Sequence, residues 1–325
     1  MSFLTVLKIA AHSARYGLAT LGVFGAVTGP AYATGDRTLE LQENHNGRMM
    51  ISTAINGQNA LALIDTGATI PLIDLSYLGA EVQSLNDLPQ ANVLGVGGAR
   101  EYPLTFLSEL AIGSDRWSNV KVAVNSENRT PVTQPILPMN LFQDRVVDFD
   151  FVNRKLHLYN SRPRHVTDAM RSKLQYEMIN GLLFIDISIN GVSGKALIDT
   201  GADVTFATKS FSRAANGRVD EDETKRIRGS DLTASAAEIH MFRDFQVGKS
   251  KIARVHLPVI DTQLFRSLGV EHDLCLVIGM DFLQYFRLQI DREKQEISFV
   301  RAPPARASHI QRGNPAMSLR SIRRR

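Results

Sequence analysis

The stretch Ala62-Leu63-Ile64-Asp65-Thr66-Gly67-Ala68 recurs unchanged as Ala196-Leu197-Ile198-Asp199-Thr200-Gly201-Ala202. Each copy follows an Asn-Gly pair, Asn56-Gly57 and Asn190-Gly191, displaced by the same 134 positions as the heptapeptide. Asparagine and glycine both tolerate positive φ, so Asn-Gly between apolar runs predicts a two-residue hairpin turn. Laid over each other without a gap, 47–70 and 181–204 match Ile51 to Ile185 and Ile55 to Ile189, and each reads as strand, tight turn, strand. In the first copy Met50, Ser52 and Ala54 take one face of the strand and Ile51, Thr53 and Ile55 the other. The chain therefore reads as an internal duplication in which each half carries one aspartate just past a hairpin. Two carboxylates brought face to face can do what neither does alone, one holding a proton while the other stays ionised.

The correspondence continues downstream. Gly95 lies thirty positions after Asp65, and Gly229 thirty after Asp199. Gly95-Val96-Gly97-Gly98 and Arg228-Gly229-Ser230 are each expected to tip a hairpin. Residues 110–113 parallel 245–248, with strands expected at 120–124 and 255–259. Ile136-Leu137-Pro138-Met139-Asn140-Leu141 parallels Val277-Ile278-Gly279-Met280-Asp281-Phe282, and each is followed by two more apolar strands, 146–151 with 155–159 and 286–290 with 296–300. The expected organisation is two mostly-β lobes, 38–160 and 175–300, joined by an Arg-rich linker, 161–174. A short helix is expected over 167–175, with Thr167 as its N-cap. Asp220 to Glu223 reads as a charged surface loop, and Asp148, Asp150 and Asp291 as caps of β-turns.

The ends read differently from the body. Lys8 and Arg15 precede a small, apolar, glycine-broken run from Gly17 to Thr28, and Ala31-Tyr32-Ala33 follows as a small-x-small site. That is the pattern of an export signal, with cleavage after Ala33 and a periplasmic or secreted product. The run is shorter than the ~20 residues a span needs, and no other stretch qualifies. Seven of the 37 basic residues are arginines of the acid-free tail 301–325 and two lie in the leader, which leaves 28 against 33 acidic residues in the body. The formal charge of +4 thus belongs to the ends. The tail reads as a solvated, disordered segment. No aromatic interleaves its arginines, so nucleic acid is not an expected partner. With 325 residues, 44% of them hydrophobic, the chain can bury a large core. Its single cysteine, Cys275, excludes an intrachain disulfide and sits in the apolar run Leu274 to Ile278 as a buried, inert thiol.

Asp-Thr-Gly-Ala after an apolar strand, a glycine-tipped hairpin and then apolar-apolar-Gly before a short helix resembles the retropepsin-like aspartic proteases of the exported bacterial type. The resemblance covers about 40–300, and the pattern occurs twice, so it implies an all-β, single-chain pseudo-dimer of two β-barrel lobes. It implies Asp65 and Asp199 as the catalytic pair, Thr66 and Thr200 as the hydroxyls that tie the two loops together, and Gly67 and Gly201 as the residues that turn them. It implies flap glycines at Gly95, Gly97 and Gly98, with Gly229 as the counterpart. It also implies a polypeptide substrate, no cofactor and no metal, and a monomer can supply both aspartates. Two departures stand out. Pro138 replaces the glycine kept as Gly279 in the second half, and the nearest tyrosine to the first flap, Tyr102, is displaced from its glycines.

The same residues admit other readings. Asp-Thr-Gly is good turn chemistry, and either aspartate could simply bond its own loop. Pro138 lacks an N–H and fixes φ, which suits a peptide-binding module that has kept the fold without the activity. Each half could also pair with its equivalent in another chain. Gly95-Val96-Gly97-Gly98 lacks the spacing and βαβ context of a phosphate loop. The histidines show no ligand spacing, and no Gly-x-Ser-x-Gly elbow is present.

Overall fold

Each lobe is built on the hairpin that its Asn-Gly pair predicts. In the first, Met49–Ile55 pairs with Gln58–Asp65 in the register Ile55 to Gln58 and Ile51 to Ala62. In the second, Leu182–Ile189 pairs with Val192–Ile198, Ile189 to Val192 and Ile185 to Ala196. Asn56 and Gly57 have φ of 48° and 79°, Asn190 and Gly191 51° and 81°. Both central residues are left-handed, as a type I′ turn requires. The asparagine side chains also brace the hairpins. Asn56 accepts from the Glu109 N–H (3.1 Å) and donates to the Tyr77 carbonyl (3.0 Å). Asn190 accepts from the Arg243 N–H (2.8 Å) and donates to the Ala215 carbonyl (2.6 Å). This computed structural model describes residues 2–3, 8–10, 35–44, 48–81, 85–95, 98–126, 134–166, 170–228, 234–270 and 274–301.

Beyond each hairpin the chain crosses the sheet and returns beside the strand that carries the aspartate. Ile136–Pro138 runs parallel to that strand in the first lobe, with Pro138 opposite Asp65, and Cys275–Ile278 does so in the second. Leu72–Asp74 and Phe206–Thr208 pair antiparallel with these returning strands and parallel with Asp115–Asn125 and Ser250–Ile260. The aspartate is thus held at the end of a strand bonded on both edges, and the residues after it turn away as a loop.

The local support differs between lobes at Pro138. The Gly279 N–H donates to Thr205 Oγ1 at 3.1 Å, and a Cβ on Gly279 would lie 2.8 Å from the Ala202 carbonyl oxygen. In the first lobe the positions equivalent to Gly279 and Thr205 are Pro138 and Pro71. Donor and acceptor are replaced together, so the proline leaves no stranded partner. Asn140 Nδ2 instead bonds the Thr69 carbonyl at 3.1 Å.

The lobes meet in a six-stranded antiparallel sheet ordered Arg37–Glu43, Lys155–Tyr159, Val146–Asp150, Phe286–Asp291, Glu296–Arg301, Met170–Ile179. Its central pair, Val146–Asp150 with Phe286–Asp291, takes one strand from each lobe. A single apolar cluster draws on both lobes, and within it Phe245, Phe282, Phe286 and Phe299 meet edge-on or tilted at 4.9–6.3 Å.

This sheet corrects three expectations. The helix expected over 167–175 is, from Met170 on, a strand that pairs with Glu296–Arg301, so the second lobe's sheet begins inside the expected linker. Thr167 lies outside the described residues. Asp148 caps no turn. It is buried mid-strand, where it accepts from Arg287 (2.7 Å from both Nε and Nη2) and Tyr159 Oη (2.7 Å). A buried carboxylate needs such partners. Asp150 and Asp291 do cap turns, accepting from the Asn153 and Glu293 main-chain N–H groups. Asp220 to Glu223 forms no free loop either, but belongs to the strand Arg218–Arg228, at a register shift between Val219 and Thr224. Cys275 is buried, as expected. The leader beyond Ala10 and the tail from 302 lie outside the described residues.

Candidate active site

The two heptapeptides meet across the lobe interface. Thr66 Oγ1 donates to the Ile198 carbonyl (2.7 Å) and accepts from the Thr200 N–H (3.0 Å). Thr200 Oγ1 donates to the Ile64 carbonyl (2.7 Å) and accepts from the Thr66 N–H (3.0 Å). These reciprocal, buried bonds tie each loop to its mate. Val is nearly isosteric with Thr but satisfies neither bond, so Thr66→Val strands a buried carbonyl and a buried N–H at about 1–3 kcal/mol each. Thermal unfolding should show a loss of about 2–5 kcal/mol for Thr66→Val and for Thr200→Val, with most of it restored in Thr66→Ser. An unchanged melting temperature in both Val variants would show that the bonds do not hold the lobes.

Asp65 and Asp199 are completely buried. Asp65 Oδ1 accepts from the Gly67 N–H at 2.6 Å. Asp199 Oδ1 accepts from the Gly201 and Ala202 N–H groups at 2.8 and 3.0 Å. Oδ2 of each carboxyl takes no main-chain or hydroxyl donor, and the two carboxyls are close enough to share a proton between them. Each glycine faces the opposite carboxyl: a Cβ on Gly67 would lie 2.6 Å from Asp199 Cγ, and one on Gly201 would be closer still to Asp65 Oδ2. Glycine is required here by the approach of the facing lobe, whatever its φ.

Burial and mutual proximity shape the charge state. Burial raises the Asp65 carboxyl to about 7, opposed by the Gly67 N–H, the hydrogen bond with Asp199 and the charge of Arg48. Burial also raises Asp199 well above the usual carboxylate range, and the negative charge of Asp65 adds to the rise. The pair therefore holds a proton at pH values where exposed aspartates have none, and its two ionisation steps belong to the pair.

The segments expected as flaps are hairpins, Gln90–Gly95 with Gly98–Ile112 and Arg218–Arg228 with Ala234–Val247. Gly95 pairs with Gly98, whose φ is 146°. Gly97 and Gly229 lie outside the described residues. Leu94, next to Gly95, belongs to the same buried apolar cluster as Leu182, Phe184, Phe206 and Phe265 of the second lobe, so the first of these hairpins reaches across the interface. Tyr102 is buried opposite Ala91 with the Arg100 guanidinium 5.3 Å from its ring centroid, a packing position and not a flap tip.

Sequence reasoning missed Arg48 and Asp203. They form a largely buried pair across the interface, Nε to Oδ1 at 2.6 Å and Nη2 to Oδ2 at 3.3 Å. A trace of it was visible, because the two heptapeptides are followed by different residues, Thr69 and Asp203.

Two matched β lobes thus present one buried carboxyl each to a shared interface. The family model for aspartyl protease matches 51–141 and again 185–282, more than half of the chain, and this protein belongs to that family. No curated protein matches the chain.

Proposed function

We propose that the chain is an exported aspartic endopeptidase that hydrolyses peptide bonds by activating water between Asp65 and Asp199. The observation that carries this reading is the buried pair itself: two carboxyls from matched loops, neither Oδ2 taken up by a main-chain or hydroxyl donor, with a raised affinity for protons. In the half-protonated state the ionised carboxylate takes a proton from water as its oxygen attacks the scissile carbonyl carbon. The protonated carboxyl donates to the carbonyl oxygen, giving a neutral diol. Proton transfer to the nitrogen then lets the C–N bond break, and the pair returns to one shared proton. The main-chain N–H groups of Gly67 and Gly201 fix the carboxyls, and the Thr66–Thr200 bonds keep the lobes in register for it.

Strand addition at the flaps supports an extended peptide as substrate. At the N-terminus Ser2–Phe3 runs parallel to Ile227 and Arg228 of the second flap, while Lys8–Ala10 runs antiparallel to Leu94, Val93 and Asn92 of the first. A single extended chain that crosses a pseudo-two-fold axis must meet one flap parallel and its mate antiparallel, because the rotation reverses one strand relative to the chain. This is the orientation a bound polypeptide would take. The leader pattern supports removal after Ala33 and a periplasmic or secreted product, and both aspartates come from one chain, so a monomer suffices. The peptide-binding reading loses its motive, since the N–H absent at Pro138 has no unmet acceptor at Pro71.

The test is to incubate the purified mature chain with denatured polypeptides across pH ~3–8 and map new termini by mass spectrometry, with Asp199→Asn in parallel. New internal termini from the wild type alone are expected. Retained binding of an extended peptide with no new termini at any pH would establish the peptide-binding module instead.

A further inference from the structure

The two hairpins expected as flaps are each paired on both edges, and the outer edge is taken by the chain's own N-terminus. Asn92, Val93 and Leu94 face Glu101, Arg100 and Ala99 on one side and Ala10, Ile9 and Lys8 on the other. Ile227 and Arg228 face Ser235 and Ala234 on one side and Ser2 and Phe3 on the other. A strand has only two edges, so at these positions the ladder is closed to any further chain. Phe3 and Lys8 are five positions apart, and extended chain covers that in at most about 18 Å. The two occupied edges, one from each lobe, therefore lie close together.

We propose that the N-terminal segment is the resident occupant of these two edges, so that the full-length chain is latent and loss of the leader opens the hairpins to a polypeptide. The effect on turnover rests on the peptidase reading, whereas the occupancy itself does not. Residues 8–10 hold the first hairpin antiparallel and residues 2–3 hold the second parallel. Strand addition takes its affinity from main-chain bonds, so another extended peptide can replace the segment once it is gone. While it is attached, the segment competes from within the molecule at an effective concentration on the order of millimolar. Both strands lie upstream of Ala31-Tyr32-Ala33, so one cut after Ala33 releases them together. A chain that folds before export would in this state spare the polypeptides around it.

Proline has no N–H and cannot complete a ladder, whereas alanine keeps it. Four full-length chains are compared, all carrying Asp199→Asn so that no cleavage removes the leader: the parent, Lys8→Pro/Ile9→Pro, Ser2→Pro/Phe3→Pro and Lys8→Ala/Ile9→Ala. The readouts are amide hydrogen exchange within 92–94 and 227–228, and the anisotropy of a fluorescein-labelled peptide of residues 2–10. In Lys8→Pro/Ile9→Pro, exchange within 92–94 should rise about tenfold, and the labelled peptide should bind about tenfold more tightly than to the parent. Ser2→Pro/Phe3→Pro should raise exchange at 227–228, and the alanine chain should match the parent. Proline chains that exchange and bind like the parent would overturn the proposal. So would an alanine chain as open as the proline chain, since side chains and not a ladder would then hold the segment. Protection in the parent that falls on dilution would place the segment on a second copy and overturn it as well. In chains that keep Asp199, kcat/KM on a cleaved peptide should be about tenfold higher with Lys8→Pro/Ile9→Pro than without it, and equal values would refute latency. If neither chain cleaves, the peptidase reading fails while exchange and peptide binding still decide the occupancy.

Discussion

The doubly substituted chain Asp65→Asn/Asp199→Asn should be more stable than the wild type at neutral pH, and its stability should depend less on pH. The unfolded chain releases these protons near 3.8, whereas the folded chain holds the Asp65 proton up to about 7 and the Asp199 proton well above its usual range. Where the native state binds more protons than the unfolded state, stability falls as pH rises. The wild type is thus favoured by this pair fully below 3.8, and the contribution drains away as pH climbs toward 7. A displacement of that size for Asp65 alone corresponds to about 4 kcal/mol. Asparagine keeps an oxygen for the Gly67 and Gly201 N–H groups and carries no charge to desolvate. Thermal melts of both chains at pH 4 and 7.5 should converge at the acid end and separate by several degrees at the neutral end. A variant that melts below the wild type at pH 7.5 would show that the carboxyls are not under the strain their burial implies.

Gly67→Ala and Gly201→Ala should each cost at least about a hundredfold in kcat/KM while leaving the fold in place. The added methyl meets the carboxyl of the opposite lobe, at 2.6 Å from Asp199 Cγ in the first case. Neither aspartate can retreat, because each is buried and held by a main-chain N–H of its own loop. The lobes or the carboxyls must part, and a displacement near 1 Å in a site of this kind costs about 10² in rate. Circular dichroism and kcat/KM together check this. Full activity in either alanine variant would mean that the two loops are not apposed as described.

Much of the site could be read from the sequence because it is written locally and twice. The Asn-Gly turns, the strands they join and the residues that follow depend on neighbours a few positions away, and duplication turned a weak tripeptide into a strong signal. The less legible parts depend on distant partners. Met170–Ile179 carries residues that also suit a helix, and the open edge of Glu296–Arg301 decided the matter. The period-two alternation of Ser172, Leu174 and Tyr176 with the strongly polar Lys173, Gln175 and Glu177 was the available clue. Asp148 looks like a turn residue until Arg287, on the adjacent strand of the other lobe, is placed against it. Pro138 looked like a defect because its matching change at Pro71 is sixty-seven positions upstream. Arg48 and Asp203 could be paired only once the lobes were docked, since no local rule links positions 155 residues apart.

The central claim is that Asp65 and Asp199 act as one unit across the interface. The most direct measurement is kcat/KM on one cleaved peptide for the wild type, Asp65→Asn, Asp199→Asn and the double variant. A single shared pair predicts that each single substitution removes about as much activity as both together, at least ~10³-fold, so that the effects are far from additive. Cleavage that survives in either single variant, or losses that simply multiply in the double, would contradict it.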